Sequence, residues 1–209
     1  MRNHKVVLTR SLAGVPTPDD FRVVDEPLPE PGDGQFLVRH VYLSLDPYQR
    51  SAMAGRHMTG RQPLGAGDMP AAETLGQVLR SRHPDFAEGE YVRHFGGWQE
   101  YGLSTGERTE RVDPALAPLS AWLGVLGMPG LTAWVGTIEI GRPLPGDTVY
   151  ISSAAGAVGQ LAGQFARRAG ARVVGSAGSP RKVDFLLQRC AFDAAFDHRS
   201  VDLDDALRT

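Results

Sequence analysis

Residues 152–159, Ser152-Ser153-Ala154-Ala155-Gly156-Ala157-Val158-Gly159, decide the fold of this chain. They follow a short apolar run at residues 147–152 without polar–apolar alternation, which is typical of a strand buried on both faces. They lead into residues 158–169, where apolar side chains recur at the three- and four-residue spacing of a helix. Small residues between a buried strand and a helix favour a tight turn, so this stretch predicts a strand–turn–helix unit of an α/β sheet.

The glycine spacing within this turn indicates a chemical role. It matches the pattern G-x-G-x-x-G with Ala154 in the first glycine position, which alanine can fill if its φ is negative. Gly156 would let a pyrophosphate approach the backbone, where free N–H groups and the helix dipole favour negative charge. Gly159 and Gly163 would let the helix pack closely on the strands. The turn therefore predicts dinucleotide binding, and the alternative is that its glycines only pack helix against sheet.

The residues after the turn continue the alternation of strand and helix. The pattern predicts strands at residues 171–176 and 194–197, and helices at residues 180–190 and 201–208. Strand, helix, strand, helix, strand is one mononucleotide-binding half of a doubly wound sheet. The strand before the glycine turn is central in the complete sheet, so in this half we expect an exposed apolar edge that invites aggregation or pairing.

The first half of the chain has a different texture, with short apolar runs separated by proline and glycine clusters. Strands are predicted at residues 6–8, 35–45, 74–79 and 90–95, and many short strands suggest a small barrel or sandwich. From Pro114 the pattern predicts two helices, residues 114–127 and 131–140, separated by a break at residues 128–130. We therefore predict a β-rich domain at residues 1–113 and a partial α/β domain at residues 114–209.

Composition excludes several classes of protein. Hydrophobic residues make up 42% of the 209 residues, charged residues 22%, and the formal net charge is −2, so a nucleic-acid surface driven by charge is not expected. The single cysteine, Cys190, excludes an internal disulfide and a four-cysteine zinc site. No stretch approaches the roughly 20 apolar residues of a membrane span, and the first residues lack the apolar core of a signal peptide. A cytoplasmic protein without membrane or nucleic-acid partners is expected.

The end of the second strand bears on the choice of cofactor. A site that prefers NAD places Asp or Glu about 20 residues past the glycines, at the ribose 2′-hydroxyl. Residues 175–182 contain no carboxylate but include Ser179, Arg181 and Lys182. We therefore predict NADPH, with Ser179 and Lys182 holding the 2′-phosphate and Arg181 assisting. The alternative is that Ser179 only caps the next helix and the cations are solvated.

Four segments together resemble a known family. They are residues 45–50 (Leu45-Asp46-Pro47-Tyr48-Gln49-Arg50), residues 128–134 (Met128-Pro129-Gly130-Leu131-Thr132-Ala133-Trp134), residues 152–159, and Gly178-Ser179 with Lys182. The chain resembles the zinc-independent branch of the medium-chain dehydrogenase/reductases, within it the prostaglandin/leukotriene B4 reductase-like and curcumin reductase-like group. The resemblance implies a GroES-like β domain followed by a Rossmann domain. It also implies reduction of the carbon–carbon double bond of α,β-unsaturated ketones and aldehydes with NADPH.

The resemblance also implies site residues. Contacts to NADPH are expected from Gly156, Ala157, Val158, Gly159 and Lys182. His198 stands where the family often has a tyrosine near the adenosine phosphate, and Thr132 stands where relatives approach the nicotinamide. Tyr48 is the candidate on the substrate side; the other catalytic residues are unknown. The alternatives are a solvated His198, a helix N-terminal hydroxyl at Thr132 and a Tyr48 packed at a strand end.

No metal is expected in the site. The zinc-dependent members carry Gly-His-Glu-x-x-Gly, whereas residues 71–76 read Ala-Ala-Glu-Thr-Leu-Gly. Where those members place a cysteine ligand, residues 45–47 read Leu-Asp-Pro. Neither usual ligand is present, so a catalytic zinc is not predicted. Glu73 is assigned no catalytic role.

Relatives of this kind are roughly half as long again, so the resemblance implies a C-terminally truncated chain. Three hypotheses follow: an enone reductase by ancestry that is impaired by truncation, a non-catalytic nucleotide-binding or interaction fragment, and an enzyme completed by another chain. The partners expected are a small enone substrate and either a second copy in a homodimer or a complementing chain.

Overall fold

The computed structural model describes residues 2–56 and 62–208. The chain divides into two units, Met1–Leu123 and Gly124–Thr209. Within the described ranges, no helix is long and apolar enough to cross a membrane.

The first unit is built from antiparallel strands. Strands β1 (Arg2–Leu8) and β2 (Phe21–Pro27) form a two-stranded sheet, with a short 3₁₀ helix at Pro18–Asp20 before β2. A five-stranded sheet has the order β6-β3-β4-β5-β7. Its strands are β3 (Phe36–Leu43), β4 (Thr74–Ser81), β5 (Tyr91–His94), β6 (Tyr101–Ser104) and β7 (Glu110–Val112), with helix α1 (Pro47–Met53) between β3 and β4.

Alternation of side chains along these strands produces two buried clusters. One cluster contains Phe36, Val38, Val78, Phe86 and Val92. The other places Leu75 and Val112 against Leu123, with Leu119 and Trp122 packed on it. Because Leu119–Leu123 is a 3₁₀ helix that packs on β4, the segment after β7 belongs to the first unit.

The second unit contains a parallel sheet with helices between its strands. Its elements are α2 (Met128–Trp134), a π-helical segment (Val135–Gly141), β8 (Thr148–Ile151), α3 (Ala157–Arg168), β9 (Arg172–Ala177), α4 (Pro180–Gln188), β10 (Ala194–Asp197) and α5 (Leu203–Arg208). The strand order is β10-β9-β8 and both pairings are parallel. The predicted mononucleotide-binding half is confirmed, with its core formed by Ala154, Ala166, Ala171, Val173, Ala177, Leu186, Cys190 and Phe192.

The prediction for residues 114–140 was partly wrong. Residues 114–127 contain only the short 3₁₀ helix Leu119–Leu123, and residues 128–130 begin α2 instead of breaking a helix. Pro129 stands in the first turn, where its missing N–H is not needed. Gly130 lies so close to the Val125 backbone that a Cβ would be 1.8 Å from the Val125 carbonyl oxygen. This proline–glycine pair therefore begins a packed helix, which becomes π-helical after Trp134.

Strand β8 has a strand neighbour on one side only within the described part of the chain. Its other side borders a groove of about 530 Å³, lined by Gly136, Thr137, Gly141, Pro143, Asp147 and β8 itself. The predicted exposed edge at the glycine-turn strand is therefore present.

A pair of histidines, His94 buried and His40 partly buried, joins two strands of the first unit. His40 Nδ1 lies 2.8 Å from the Gln99 carbonyl oxygen, which only accepts, so His40 donates from Nδ1. His40 Nε2 then accepts the Nε2–H of His94 at 2.9 Å. Burial, and to a lesser extent the neighbouring His40, lowers the pKa of His94 to about 3, and burial also lowers the pKa of His40. Both rings are therefore neutral at physiological pH.

We expect acid to destabilise the first unit through these histidines. His94 has a lower pKa folded than unfolded, where it is near 6.5, so its stabilising contribution is fully present above pH 6.5. That contribution is lost as pH falls from 6.5 toward 3, by up to about 1.4 kcal/mol per pH unit. Denaturant unfolding at a series of pH values measures the slope.

The variant His94→Gln should show a shallower slope over the same pH range, whereas His4→Gln, at a histidine that is half exposed on β1, should keep it. An unchanged slope in His94→Gln would rule out the buried pair as the source.

Candidate functional site

In the turn after β8, one residue, Ser153, has a strained backbone conformation. Ser153 has φ of +48°, whereas Ala154 is not in the left-handed region, so alanine is accommodated in the first glycine position. The Ala154 N–H donates to the Ser176 carbonyl oxygen at 2.9 Å, and its side chain is fully buried. The turn is thereby attached to the end of β9.

Two glycines of the motif allow helix α3 to lie against the turn and the sheet. A Cβ on Gly159 would be 2.7 Å from the Ser153 carbonyl oxygen and 2.8 Å from the Ala154 Cα. A Cβ on Gly163 would be 2.1 Å from the Phe192 ring. Both positions exclude any side chain, in agreement with the predicted close packing.

Gly156 has a different environment. It occupies the N-cap position of α3, and a Cβ there would meet only the Ser153 carbonyl oxygen, at 3.2 Å. Among the described residues, no side chain caps this helix. The backbone N–H groups of Ala157, Val158 and Gly159 open α3 and so have no intrahelical acceptor. Free donors, the helix dipole and an approach without a side chain fit a pyrophosphate at this turn.

The end of β9 leads into the N-terminus of α4. Ser179 occupies the N-cap position with extended backbone, as the alternative interpretation proposed, but its side chain makes no capping hydrogen bond. Arg181 and Lys182 lie in the first turn of α4 and are exposed. A hydroxyl that does not cap its helix, together with two solvent-facing cations, is suited to a phosphate monoester.

The end of β10 brings two more side chains to the same edge of the sheet. The register pairs Asp197 with Ala177, and the His198 N–H donates to the Ala177 carbonyl oxygen at 3.1 Å. His198 Cε1 and Arg199 Cζ each lie 3.4 Å from the position of a Cβ on Gly178. His198 therefore lies beside Gly178, and its predicted contact with the adenosine phosphate of the cofactor stays a prediction. Sequence reasoning missed Arg199, although its position next to His198 was the available signal.

Thr132 lies in the middle of α2, so the alternative of a helix N-terminal hydroxyl is wrong. Its hydroxyl is directed to Met128 Sδ at 3.4 Å, a weak acceptor. Helix α2 packs on α3, with the Trp134 and Phe165 rings edge to face at 5.6 Å. Thr132 and the glycine turn thus belong to neighbouring helices of one unit.

Tyr48 lies in the first turn of α1, not at a strand end, so the alternative of a strand-end tyrosine is wrong. Burial raises the pKa of the Tyr48 hydroxyl, and the charges of Asp46 and Glu73 add to the effect. The hydroxyl is therefore protonated at neutral pH and able to donate a hydrogen bond. It belongs to the first unit.

Glu73 precedes β4 and lies beside Arg93, with Arg93 Nε 3.4 Å from Glu73 Oε1. Both side chains are 17% exposed, and Arg93 also pairs with Glu110. Burial raises the pKa of Glu73 more than Arg93 lowers it. Among the residues that the structure describes, no three His, Cys, Asp or Glu side chains are grouped to hold a metal ion.

A family model described as the N-terminal domain of oxidoreductase matches residues 4–112, which is more than half of the chain. The parallel half-sheet with its glycine turn follows this domain directly. The chain belongs to the medium-chain dehydrogenase/reductase family.

Individual relatives agree with this membership. The NADPH-dependent curcumin reductase of Escherichia coli is 38% identical over 206 residues, covering 99% of this chain and 59% of the relative. The 2-alkenal reductase (NADP(+)-dependent) of Nicotiana tabacum is 39% identical over 212 residues, covering 99% and 62%. The crystal structure of CurA from Vibrio vulnificus in complex with NADPH superposes with a TM-score of 0.89 at 38% identity, covering 98% and 60%.

The resemblance and the fold class predicted from the sequence are confirmed. The prediction of NADPH agrees with these relatives, all three of which carry NADP or NADPH in their descriptions. The chain spans about three fifths of the length of the relatives that it matches. The roles of the individual site residues stay predictions, and the structure adds the positions of these residues.

The packing of the glycine turn yields a direct test. We expect Gly159→Ala to destabilise the second unit by about 1–3 kcal/mol, because its methyl group would overlap the backbone of Ser153 and Ala154. Displacement of the turn should also weaken nucleotide binding. Urea unfolding and nucleotide titration measure the two effects.

Gly136→Ala is the matched control, since a Cβ at this helical glycine meets nothing within 4 Å. It should be neutral or stabilising by up to about 1 kcal/mol. Equal destabilisation by both substitutions would contradict the proposed role of the Gly159 contact.

Proposed function

We propose that this chain supplies the NADPH-binding half and the β-rich domain of a reductase acting on the carbon–carbon double bond of α,β-unsaturated ketones and aldehydes. The observation that carries the proposal is the edge of the parallel sheet. There the glycine turn with free N–H groups, the uncapped hydroxyl of Ser179 and the cations of α4 lie in one unit without an intervening carboxylate in residues 175–182. The relatives named for curcumin and alkenal reduction support the substrate class.

Each part of the dinucleotide has residues suited to it. The N–H groups of Ala157, Val158 and Gly159 bind the pyrophosphate, and Gly156 leaves room for its approach. Ser179 and Lys182 bind the 2′-phosphate, with His198 beside them. Thr132 approaches the nicotinamide.

NADPH, when bound, supplies a hydride to the β-carbon of the substrate. As the β-carbon gains hydrogen, negative charge develops on the carbonyl oxygen, so the protein must offer a hydrogen-bond donor there. Tyr48 is the proposed donor, because the resemblance places it on the substrate side and its hydroxyl is protonated at neutral pH. The α-carbon then takes a proton from solvent, which completes the saturated ketone.

Strand β8 is paired on one side only, so we propose that the enzyme also requires a strand along the outer edge of β8. In the described residues this edge faces a groove instead of a neighbouring strand. An unpaired edge next to the dinucleotide turn leaves the turn less rigid. We therefore propose that turnover needs a strand supplied to β8, either by a complementing chain or by a second copy, whereas binding of NADPH needs only the second unit.

The cofactor proposal predicts a selective response to nucleotide. NADPH at about 100 times its dissociation constant should raise the free energy of unfolding by about 2.7 kcal/mol, and the same concentration of NADH should raise it by less. Lys182→Ala should reduce the shift caused by NADPH and leave the shift caused by NADH unchanged. Thermal unfolding with each nucleotide measures both.

Arg189→Ala is the control for Lys182→Ala. It also removes one positive charge, but at the C-terminal end of α4, and should leave the NADPH response intact. Equal shifts from NADPH and NADH in the unaltered chain would refute the cofactor assignment.

The role proposed for Tyr48 predicts a loss of turnover without loss of cofactor binding. In the protein completed by a strand on β8, Tyr48→Phe should lower kcat for 3-buten-2-one by at least about tenfold, the cost of one donor to a developing oxyanion, with the NADPH dissociation constant unchanged. NADPH oxidation followed by absorbance measures kcat. Tyr42→Phe, at an exposed tyrosine on β3, is the control and should retain activity.

A further inference from the structure

Arg199 lies directly over Gly178 at the carboxyl edge of the parallel sheet. Its Nε is 3.2 Å and its Cζ 3.4 Å from the position that a Cβ on Gly178 would take. Gly178 immediately precedes Ser179, the N-cap residue of α4. The guanidinium therefore approaches the segment whose hydroxyl and cations are suited to a phosphate monoester.

The backbone that carries Arg199 is held by short-range hydrogen bonds. The Arg199 N–H donates to Asp197 Oδ1 at 3.0 Å, and the Ser200 N–H and hydroxyl each donate to the Asp197 carbonyl oxygen at 3.0 Å. The His198 N–H attaches the same turn to β9 through Ala177. Asp197 therefore fixes the backbone turn that carries Arg199.

The guanidinium itself makes no hydrogen bond or ion pair with another of the described side chains. Asp197, the nearest acid in the sequence, uses its Oδ1 for the backbone of Arg199. Arginine presents a planar fork of N–H donors that matches two oxygens of one phosphate, which a lysine cannot do. An exposed fork beside Gly178, with no hydrogen bond or ion pair to the other described side chains, is suited to a dianionic phosphate.

Given the proposed binding of NADPH, we propose that Arg199 determines its selectivity over NADH by donating two hydrogen bonds to the 2′-phosphate. Ser179 and Lys182 then contact this phosphate from the end of β9, and Arg199 contacts it from the end of β10. Gly178 leaves room for the guanidinium between them, because a Cβ there would lie 3.2 Å from Arg199 Nε.

The test compares the dissociation constants of NADPH and NADH for the purified chain and its variants by fluorescence titration. Arg199→Ala should raise the dissociation constant of NADPH by about tenfold or more, as expected for loss of a charge-assisted pair, and leave that of NADH within about threefold. Arg199→Lys should lose less, since it keeps the charge but not the fork. Arg168→Ala, at the opposite end of α3 from the glycine turn, removes the same charge and should change neither value.

The outcomes separate this inference from the proposal on which it rests. If the unaltered chain binds NADPH no more tightly than NADH, the cofactor proposal fails and the inference fails with it. If the unaltered chain prefers NADPH and Arg199→Ala keeps that preference, only the inference is overturned. Equal weakening of both nucleotides would assign Arg199 to the shared adenosine and would also overturn it.

Discussion

The contact between helix α3 and the turn after β8 is the constraint on which the candidate site depends. A Cβ on Gly159 would lie within 3 Å of the backbone of both Ser153 and Ala154, so this approach is open to glycine alone. The close approach directs the first N–H groups of α3 past the end of β8. The price is a positive φ at Ser153, a cost of about 1–2 kcal/mol that the buried Ala154 and its hydrogen bond to β9 offset.

Parallel pairing then determines which other side chains join the turn. Since β8, β9 and β10 run in the same direction, the segments after all three strands emerge at one edge of the sheet. The glycine turn follows β8, Ser179 follows β9, and His198 with Arg199 follows β10. Residues separated by more than 40 positions in sequence are thereby brought to one edge of the sheet, where the proposed sites for the pyrophosphate and the 2′-phosphate lie.

Local pattern predicted the parts of the structure that local interactions determine. The periodicity of β8, α3, β9, α4 and β10 is a consequence of burial on the faces of one sheet, and those elements were placed within two residues of their observed ends. Residues 114–127 were mistaken for a helix because their apolar residues pack on β4 from a 3₁₀ turn. The proximity of Arg199 to Gly178, and of His40 to His94 across 54 positions, depends on strand register that one sequence does not display. The strained backbone of Ser153 escaped sequence reasoning for a different reason, because the sequence does not show which residue of a turn takes a positive φ.

The two sides of β8 have opposite consequences for function. On the inner side, the Tyr150 and Ser176 hydroxyls share a hydrogen bond of 2.8 Å between β8 and β9. The Tyr150 ring also stacks parallel to the Phe196 ring on β10, so side chains connect all three strands. On the outer side, the backbone of a four-residue strand faces a groove and gains nothing from pairing. The proposed nucleotide site depends on the inner side, where the turn is attached to β9. A reacting substrate must be positioned more precisely than a bound nucleotide, because small displacements of the reacting atoms lower the reaction rate steeply. The edge of β8 is therefore where the proposed requirements for binding and for turnover differ: we propose that binding needs the contacts within this half-sheet and that turnover needs β8 held from both sides.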